Sequence, residues 1–161
     1  MNKLFIEDFV ERIENICPNV NICRQSEVFD ILKETDSFEQ FPMISYEYTE
    51  DSQFSVELDE SKFLNDKSHD GTWIIGMDDD TINFIINLKA TNNILHIDAF
   101  EVNKDMRGQE IGGNVISMIE SVAYTHFDKI VVSPFDTSAT EFWEHLGYVE
   151  NENGEFVKSV D

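Results

Sequence analysis

The amino-acid sequence predicts an α+β fold. Three observations carry that reading: a helical apolar pattern opens the chain, strand patterns fill its middle, and an apolar strand ending near residue 102 passes through a Gly-containing turn into an apolar-periodic helix. Leu4, Phe5, Phe9, Ile13 and Ile16 mark one face of a first helix, which ends before Pro18 because the residue preceding a proline is pushed out of the helical region. Val28, Ile31 and Leu32 suggest a second, short helix from about Ser26. Residues 37–71 hold an extended stretch near Met43 to Tyr48, a strand pattern at Phe54 to Leu58 and a polar segment around Asn65 to Gly71. Trp73 to Met77, the Asp78-Asp79-Asp80 turn and Thr81 to Leu88 read as a hairpin that leads through Asn92-Asn93 into a strand at Ile94 to Val102. The three aspartates lack the spacing of a calcium loop, so they read as a tight turn. Lys129 to Ser133 read as a further buried strand, and Asn151 to Gly154 as the turn of a closing hairpin between Tyr148-Val149 and Phe156-Val157.

The stretch from Val102 to Gly113, Val-Asn-Lys-Asp-Met-Arg-Gly-Gln-Glu-Ile-Gly-Gly, is the most informative in the chain. Successive backbone N–H groups of a Gly-containing turn, followed by the unpaired donors of a helix N-terminus, form an anion site that suits a pyrophosphate. Arg107 adds a charged fork to it. Farther on, Asp136 to Tyr148 reads Asp-Thr-Ser-Ala-Thr-Glu-Phe-Trp-Glu-His-Leu-Gly-Tyr.

Together these segments resemble the GNAT superfamily of N-acetyltransferases. The family pattern is a strand ending in Val, then Arg/Gln-x-x-Gly-x-Gly/Ala opening a helix, then Asn-x-x-Ala-x-x-Leu-Tyr-x-x-x-Gly-Phe/Tyr. Val102, Arg107, Gly112, Ala139, Phe142, Gly147 and Tyr148 fall in register with it. The resemblance implies a mixed, largely antiparallel sheet flanked by helices on both faces. It covers about residues 72–161, the expected acyl-CoA-binding core, and leaves 1–71 as a divergent substrate-side region of one domain over residues 1–161. Backbone groups of Phe100, Glu101 and Val102 would then pair with the pantetheine arm of acetyl-CoA and polarise the thioester carbonyl. Arg107, Gly108, Gln109, Glu110, Ile111, Gly112 and Gly113 would hold the pyrophosphate, and Asp136, Ala139 and Trp143 belong to the second motif of the cofactor side.

Three residues depart from the pattern. Glu110 stands where the family usually has its first loop glycine, which restricts φ and brings a carboxylate near the expected phosphates. Trp143 stands at the slot of a tyrosine that often acts as general acid to the leaving thiolate, and an indole does not titrate. Asp136 replaces an asparagine, turning an amide into an acceptor.

Composition bounds the rest. A chain of 161 residues with 41% hydrophobic content can bury about 70% of its unfolded surface, enough for one core. No apolar run spans a membrane and no signal peptide is visible, so a cytoplasmic location is expected. Cys17 and Cys23 have no partner spacing for a metal and are expected to be reduced; no metal site is expected. Thirty-three acids against eleven bases give a net charge of −22, spread over both halves. This disfavours nucleic-acid binding, which needs clustered Lys and Arg. It suits a cationic small-molecule amine or a basic peptide as partner. An exposed edge in the closing hairpin would permit a homodimer.

A primary amine has a pKa of about 10.4 and must lose a proton before it attacks a thioester. Strict alternation puts Leu95, Ile97 and Ala99 on one face of their strand and His96, Asp98, Phe100 and Val102 on the other. Counted back from Val102, His96 and Asp98 fall where some family members carry a base. An imidazole with a pKa of about 6.5 suits that task, with Asp98 holding its tautomer or acting through water. Tyr148 and Tyr124 are the phenols left for protonating the thiolate. The resulting expectation is transfer of acetyl from acetyl-CoA to an amine by direct, base-assisted attack. The alternative is a catalytically inactive GNAT-fold protein that senses an acyl-CoA or works through protein contacts; a third reading is an acidic decoy that occupies a nucleic-acid-binding protein, with the fold incidental.

Overall fold

The computed structural model describes residues 3–47, 71–133 and 139–160. The strand expected at Phe54 to Leu58, nearly all of the polar segment before Gly71, and Asp136 lie outside the described residues. Among those described, one sheet has seven strands: β1 (Asn19–Cys23), β2 (Thr72–Asp78), β3 (Thr81–Thr91), β4 (Ile94–Val102), β5 (Lys129–Val132), β6 (Val149–Glu150) and β7 (Phe156–Ser159). Their order is β1-β2-β3-β4-β5-β7-β6. Every neighbouring pair is antiparallel except β4 and β5. A parallel pair needs a crossover, and the helix α4 (Ile111–Ala123) supplies it.

Helices lie on both faces, as expected. On one face α1 (Lys3–Ile13) packs beside α4, burying Phe5, Phe9 and Ile13 with Ile116 and Ile119 against Ile74, Phe84, Ile86, Leu95 and Ile97. On the other, α2 (Gln25–Glu34) and α3 (Pro42–Glu47) bury Val28, Leu32 and Ile44 against Trp73, Ile75 and Ile85. β3 is covered on both sides and is buried without a break from Ile82 to Leu88, Asn83 and Asn87 included. A fifth helix, α5 (Thr140–His145), places Trp143 against the first core. None of the helices among the described residues is long and apolar enough to cross a membrane.

The structure corrects the sequence reading at three places. Residues 42–47 are helical rather than extended. Pro42 takes the first helical position, where a missing N–H costs nothing, and the next two N–H groups, of Met43 and Ile44, donate to the carboxylate of Glu101 on β4 at 2.9 and 2.8 Å. The helix is thus capped by a residue 57 or 58 positions away. Asn19–Cys23 forms an edge strand that the sequence reading did not assign.

The third correction matters most for the site. The β3–β4 register runs Asn87↔Ala99 and then Leu88↔Ile97, leaving Asp98 as an extra residue in a bulge. Strict alternation fails there. Leu95 and Ile97 face α1 and α4, Ala99 faces α2 and α3, and Phe100 and Val102 return to the α4 face. Phe100 and Val102 therefore do not share a face with His96 and Asp98.

Candidate active site

β5 pairs only with the first four residues of β4, ending at Ile97↔Val132, and the Ser133 N–H closes the pairing on the Ile97 carbonyl at 3.1 Å. β4 continues past the bulge alongside β3 to Val102. The two strands part, and the wedge between them opens into a cavity of ≈540 Å³, within the usual size of a ligand site. Phe100, Glu101 and Val102 form one wall, Val132 and Ser133 the other, and Ala139, Phe142 and Trp143 close it from the α5 side. Phe142 meets Trp143 edge-on at 4.9 Å, and Phe100 lies 6.2 Å from each, so the apolar wall is a packed aromatic group.

The mouth is the turn from Arg107 into α4. Gly108 has φ of 85° and Glu110 has φ of 64°, the left-handed conformation that favours glycine. The Glu110 carbonyl accepts the first helical bond, from Asn114 N–H at 3.0 Å, so the N–H groups of Ile111, Gly112 and Gly113 belong to the turn that has no acceptor inside the helix. Gly112 is needed for contact: a Cβ there would stand 3.2 Å from the Phe142 ring and 3.4 Å from Val102. A Cβ on Gly113 or Gly108 would meet nothing within 4 Å, so at these two positions the cradle is open. Arg107 also lines the cavity and lies 3.4 Å from the Glu101 carboxylate. The arrangement combines backbone donors, a helix N-terminus and a guanidinium at the mouth of an apolar slot, which is suited to a phosphorylated ligand with a long, weakly polar arm.

A sequence model of the acetyltransferase (GNAT) family matches residues 27–148. The chain belongs to the GNAT family. Among solved structures, its fold is similar to that of a GNAT-family acetyltransferase from Staphylococcus aureus Mu50, with TM-score 0.57 and 16% identity over 89% of this chain and 100% of that one. It is also similar to the GNAT domain of S. lividans PAT, with TM-score 0.55 and 15% identity over 87% and 89% of the two chains. A GNAT-family acetyltransferase from Streptococcus pneumoniae gives TM-score 0.52 and 12% identity over 89% and 100%. At these identities the shared property is the fold. No curated protein matches the chain.

Of the residues singled out from the GNAT pattern, the structure brings Phe100, Glu101, Val102, Arg107, Gly108, Glu110, Ile111, Gly112, Gly113, Ala139 and Trp143 to the cavity. Gln109 is exposed and stands outside the lining. His96 and Asp98 are not in the lining either. His96 sits near the start of β4, its Nε2 2.6 Å from the Thr91 hydroxyl across the hairpin, and the bulge separates it from Phe100 to Val102. Tyr148 is also removed from the cavity. It is 2% exposed, its ring meets Trp143 edge-on at 5.2 Å, and the Lys158 ammonium lies 5.5 Å from its ring centre. Burial, and then the neighbouring Glu120 carboxylate, push its phenol far above the ordinary range. Tyr124 is exposed on α4's end.

Sequence reasoning did not assign Pro42, Met43, Ile97, Met106, Val132, Ser133 or Phe142 to the site, and all seven line it. Only Phe142 carried a signal, its register with the family pattern. Pro42 and Met43 arrive through the Glu101 cap, which no local pattern reveals. The titratable lining groups among the described residues are Glu101, Arg107 and Glu110.

Proposed function

We propose that the protein is a cytoplasmic acyl-CoA-dependent N-acetyltransferase, folded as one domain over residues 1–161, that moves acetyl from acetyl-CoA to a primary amine of a cationic small molecule or basic peptide. One observation carries the reading: the donor-rich turn at Arg107–Gly113 opens directly into the wedge between β4 and β5. The pyrophosphate would sit on the N–H groups of Ile111 to Gly113 with Arg107 beside it. The pantetheine arm would lie along Phe100 to Val102, taking the edge that β5 leaves at Ile97. Gly112 supports this by letting the helix approach Phe142 and Val102 closely.

Thioester and amine would meet near Phe100, with the acceptor entering past Pro42 and Met43. Direct attack forms the amide N–C bond and breaks the C–S bond; the amine proton and the thiolate must then be handled. With His96 bonded to Thr91 and Asp98 in the bulge, solvent at the cavity mouth takes the amine proton. Trp143 can donate a hydrogen bond to the sulfur but cannot protonate it, so the thiolate takes its proton from water. The net charge of −22 favours a cationic acceptor by long-range attraction.

Thermal unfolding with acetyl-CoA, coenzyme A and ATP at equal concentration tests the site. A ligand at about a hundred times its dissociation constant adds roughly 2.7 kcal/mol, about 5 to 10 °C for a domain of this size. A shift with both coenzyme forms and not with ATP, followed by turnover on a panel of polyamines and lysine-rich peptides, supports the enzyme. The Glu110 and Trp143 departures favour one other reading, a GNAT fold that binds the coenzyme without turnover. A coenzyme-specific shift with no acetylation across the panel would support it.

A further inference from the structure

We infer that Lys158 is a positioning residue that bolts the short helix α5 to α4 and thereby fixes the Phe142 and Trp143 wall of the wedge; its consequence for turnover rests on the transferase reading above. Lys158 stands on β7 at a core-facing position. Phe156 and Val160, two residues to either side, are 1% and 7% exposed and belong to the core under α1 and α4, so strand alternation turns Lys158 to the same face. A lysine is kept there only with partners, because an unpaired ammonium away from water is costly. Its Nζ donates to the Leu146 carbonyl at the end of α5 at 2.7 Å. The same Nζ lies 3.0 Å from Glu120 Oε2 on α4 and 5.5 Å from the centre of the Tyr148 ring. It passes over Gly147, where a Cβ would stand 3.5 Å from Nζ and 3.6 Å from Cε; the φ of 92° at Gly147 ends the helix. One ammonium thus satisfies a carbonyl that the helix leaves open, complements the negative end of α5 and carries that end to α4.

α5 has six residues and is too short to persist without tertiary support. It carries Phe142 and Trp143 into the cavity lining. Trp143 rests edge-on against Tyr148 at 5.2 Å, and the Tyr148 N–H bonds back to the Trp143 carbonyl at 3.0 Å. Nearer the mouth, the Phe142 ring packs over Gly112 in the first turn of α4. Glu120 lies about two turns farther along that helix. α5 is therefore held to α4 at two levels. Without the second it can pivot about the contact between Phe142 and Gly112 and change the width of the wedge. The clamp does not touch the N–H groups of Ile111 to Gly113, so its effect falls on the geometry at the thioester rather than on the hold on the phosphates.

Lys158→Met, Lys158→Arg and Val28→Ala are compared with the wild type, the last as a core variant in the opposite layer. Two readouts are taken on the ligand-free protein by NMR: hydrogen exchange at the Gly147 and Tyr148 amides, and the Trp143 indole N–H signal, assigned by its loss in Trp143→Phe. Lys158→Met is expected to speed both amides about fivefold or more and to shift or broaden the indole signal. Lys158→Arg, which can still reach the carbonyl and Glu120, restores both, and Val28→Ala alters neither although it melts lower. Should Lys158→Met fail to fold, Lys158→Met combined with Glu120→Gln, which leaves no lone carboxylate, takes its place. With acetyl-CoA and the amine panel, kcat should fall about tenfold or more in the same variant, while KM for the coenzyme stays within about threefold. Equal changes at Trp143 in Lys158→Met and Val28→Ala would mean a general loss of stability and would overturn the inference. A Lys158→Met protein with unchanged amides and indole signal would overturn it as well. Absence of coenzyme binding to the wild type would bring down the transferase reading alone, since the exchange and indole measurements on the ligand-free protein still decide the role of Lys158.

Discussion

Replacing Glu110 with glycine should make the protein both more stable and a tighter binder of coenzyme A, for two separable reasons. Glu110 has φ of 64° and ψ of 13°, a conformation that costs an ordinary L-residue about 1–2 kcal/mol. Glycine adopts it without that cost but loses about 0.5–1 kcal/mol through its more mobile unfolded state. The net gain is about 0.5–1 kcal/mol, or roughly 1–4 °C in a domain of this length. The second reason is charge. The carboxylate is exposed at the cavity mouth, so water's dielectric applies. At about 7 Å it repels a pyrophosphate carrying two charges by about 1.2 kcal/mol, falling to about 0.5 kcal/mol once physiological salt screens it. Affinity should rise between about two- and sevenfold, more at low salt. Glu110→Ala separates the effects, since it removes the charge and keeps a Cβ at positive φ: affinity rises and stability does not. Differential scanning calorimetry and coenzyme A titration at two salt concentrations measure both. A Glu110→Gly protein that melts lower, or binds coenzyme A more weakly, would refute the reasoning; the carboxylate would then be a ligand contact rather than a repulsive one.

Four further outcomes are expected. His96→Gln should leave the pH profile of acetylation unchanged, because its imidazole is held by Thr91 away from the wedge; loss of the acid limb of the profile would return the base role to it. Tyr148→Phe should alter stability by about 1 kcal/mol or less and leave kcat within twofold, as for removal of a hydroxyl outside the site; a hundredfold fall in kcat would place the phenol at the leaving thiolate. Gly76→Ala should cost about 3 kcal/mol or more by chemical denaturation, because its Cβ would stand 2.1 Å from the Phe84 ring in the middle of the sheet. Burial pushes the Cys23 thiol up to about 12, with Glu27 adding to the shift. Below about pH 9 the thiol is protonated in folded and unfolded chains alike, and stability is unaffected; between 9 and 12 the unfolded chain ionises first, so stability falls as pH rises. Cys23→Ala should flatten that fall in melting temperature, and an unaltered slope would show that other groups cause it.

The parts of the fold legible in the sequence are those whose signal is local. Ile94–Val102 and the flanking turns were readable because period-2 apolar patterns and the Asp and Asn turn residues act over neighbouring positions; Asp79 and Asn92 do take positive φ. The donor-rich turn at Arg107–Gly113 is legible for the same reason, since its donors come from consecutive residues. The edge strand β1 alternates as Asn-Val-Asn-Ile-Cys, but five residues beside a proline-terminated helix give too short a pattern to stand out. α3 carries no local signal because its first N–H groups are held by Glu101, far away in the chain. The bulge at Asp98 was invisible for a related reason: one extra residue is defined only against the partner strand, and Asn87 supplies that reference.

By itself, then, the sequence determined most of the strands and helices, though neither β1 nor α3, together with the donor-rich turn at Arg107–Gly113 and the family, all encoded in spacings of a few residues. Only the tertiary structure decided which side chains face the wedge. The parting of β4 from β5 after Ile97, the face switch at Asp98 and the capture of α3 by Glu101 each depend on contacts between distant segments. Such contacts are set by how surfaces fit after the chain has folded, and no run of neighbouring residues records them.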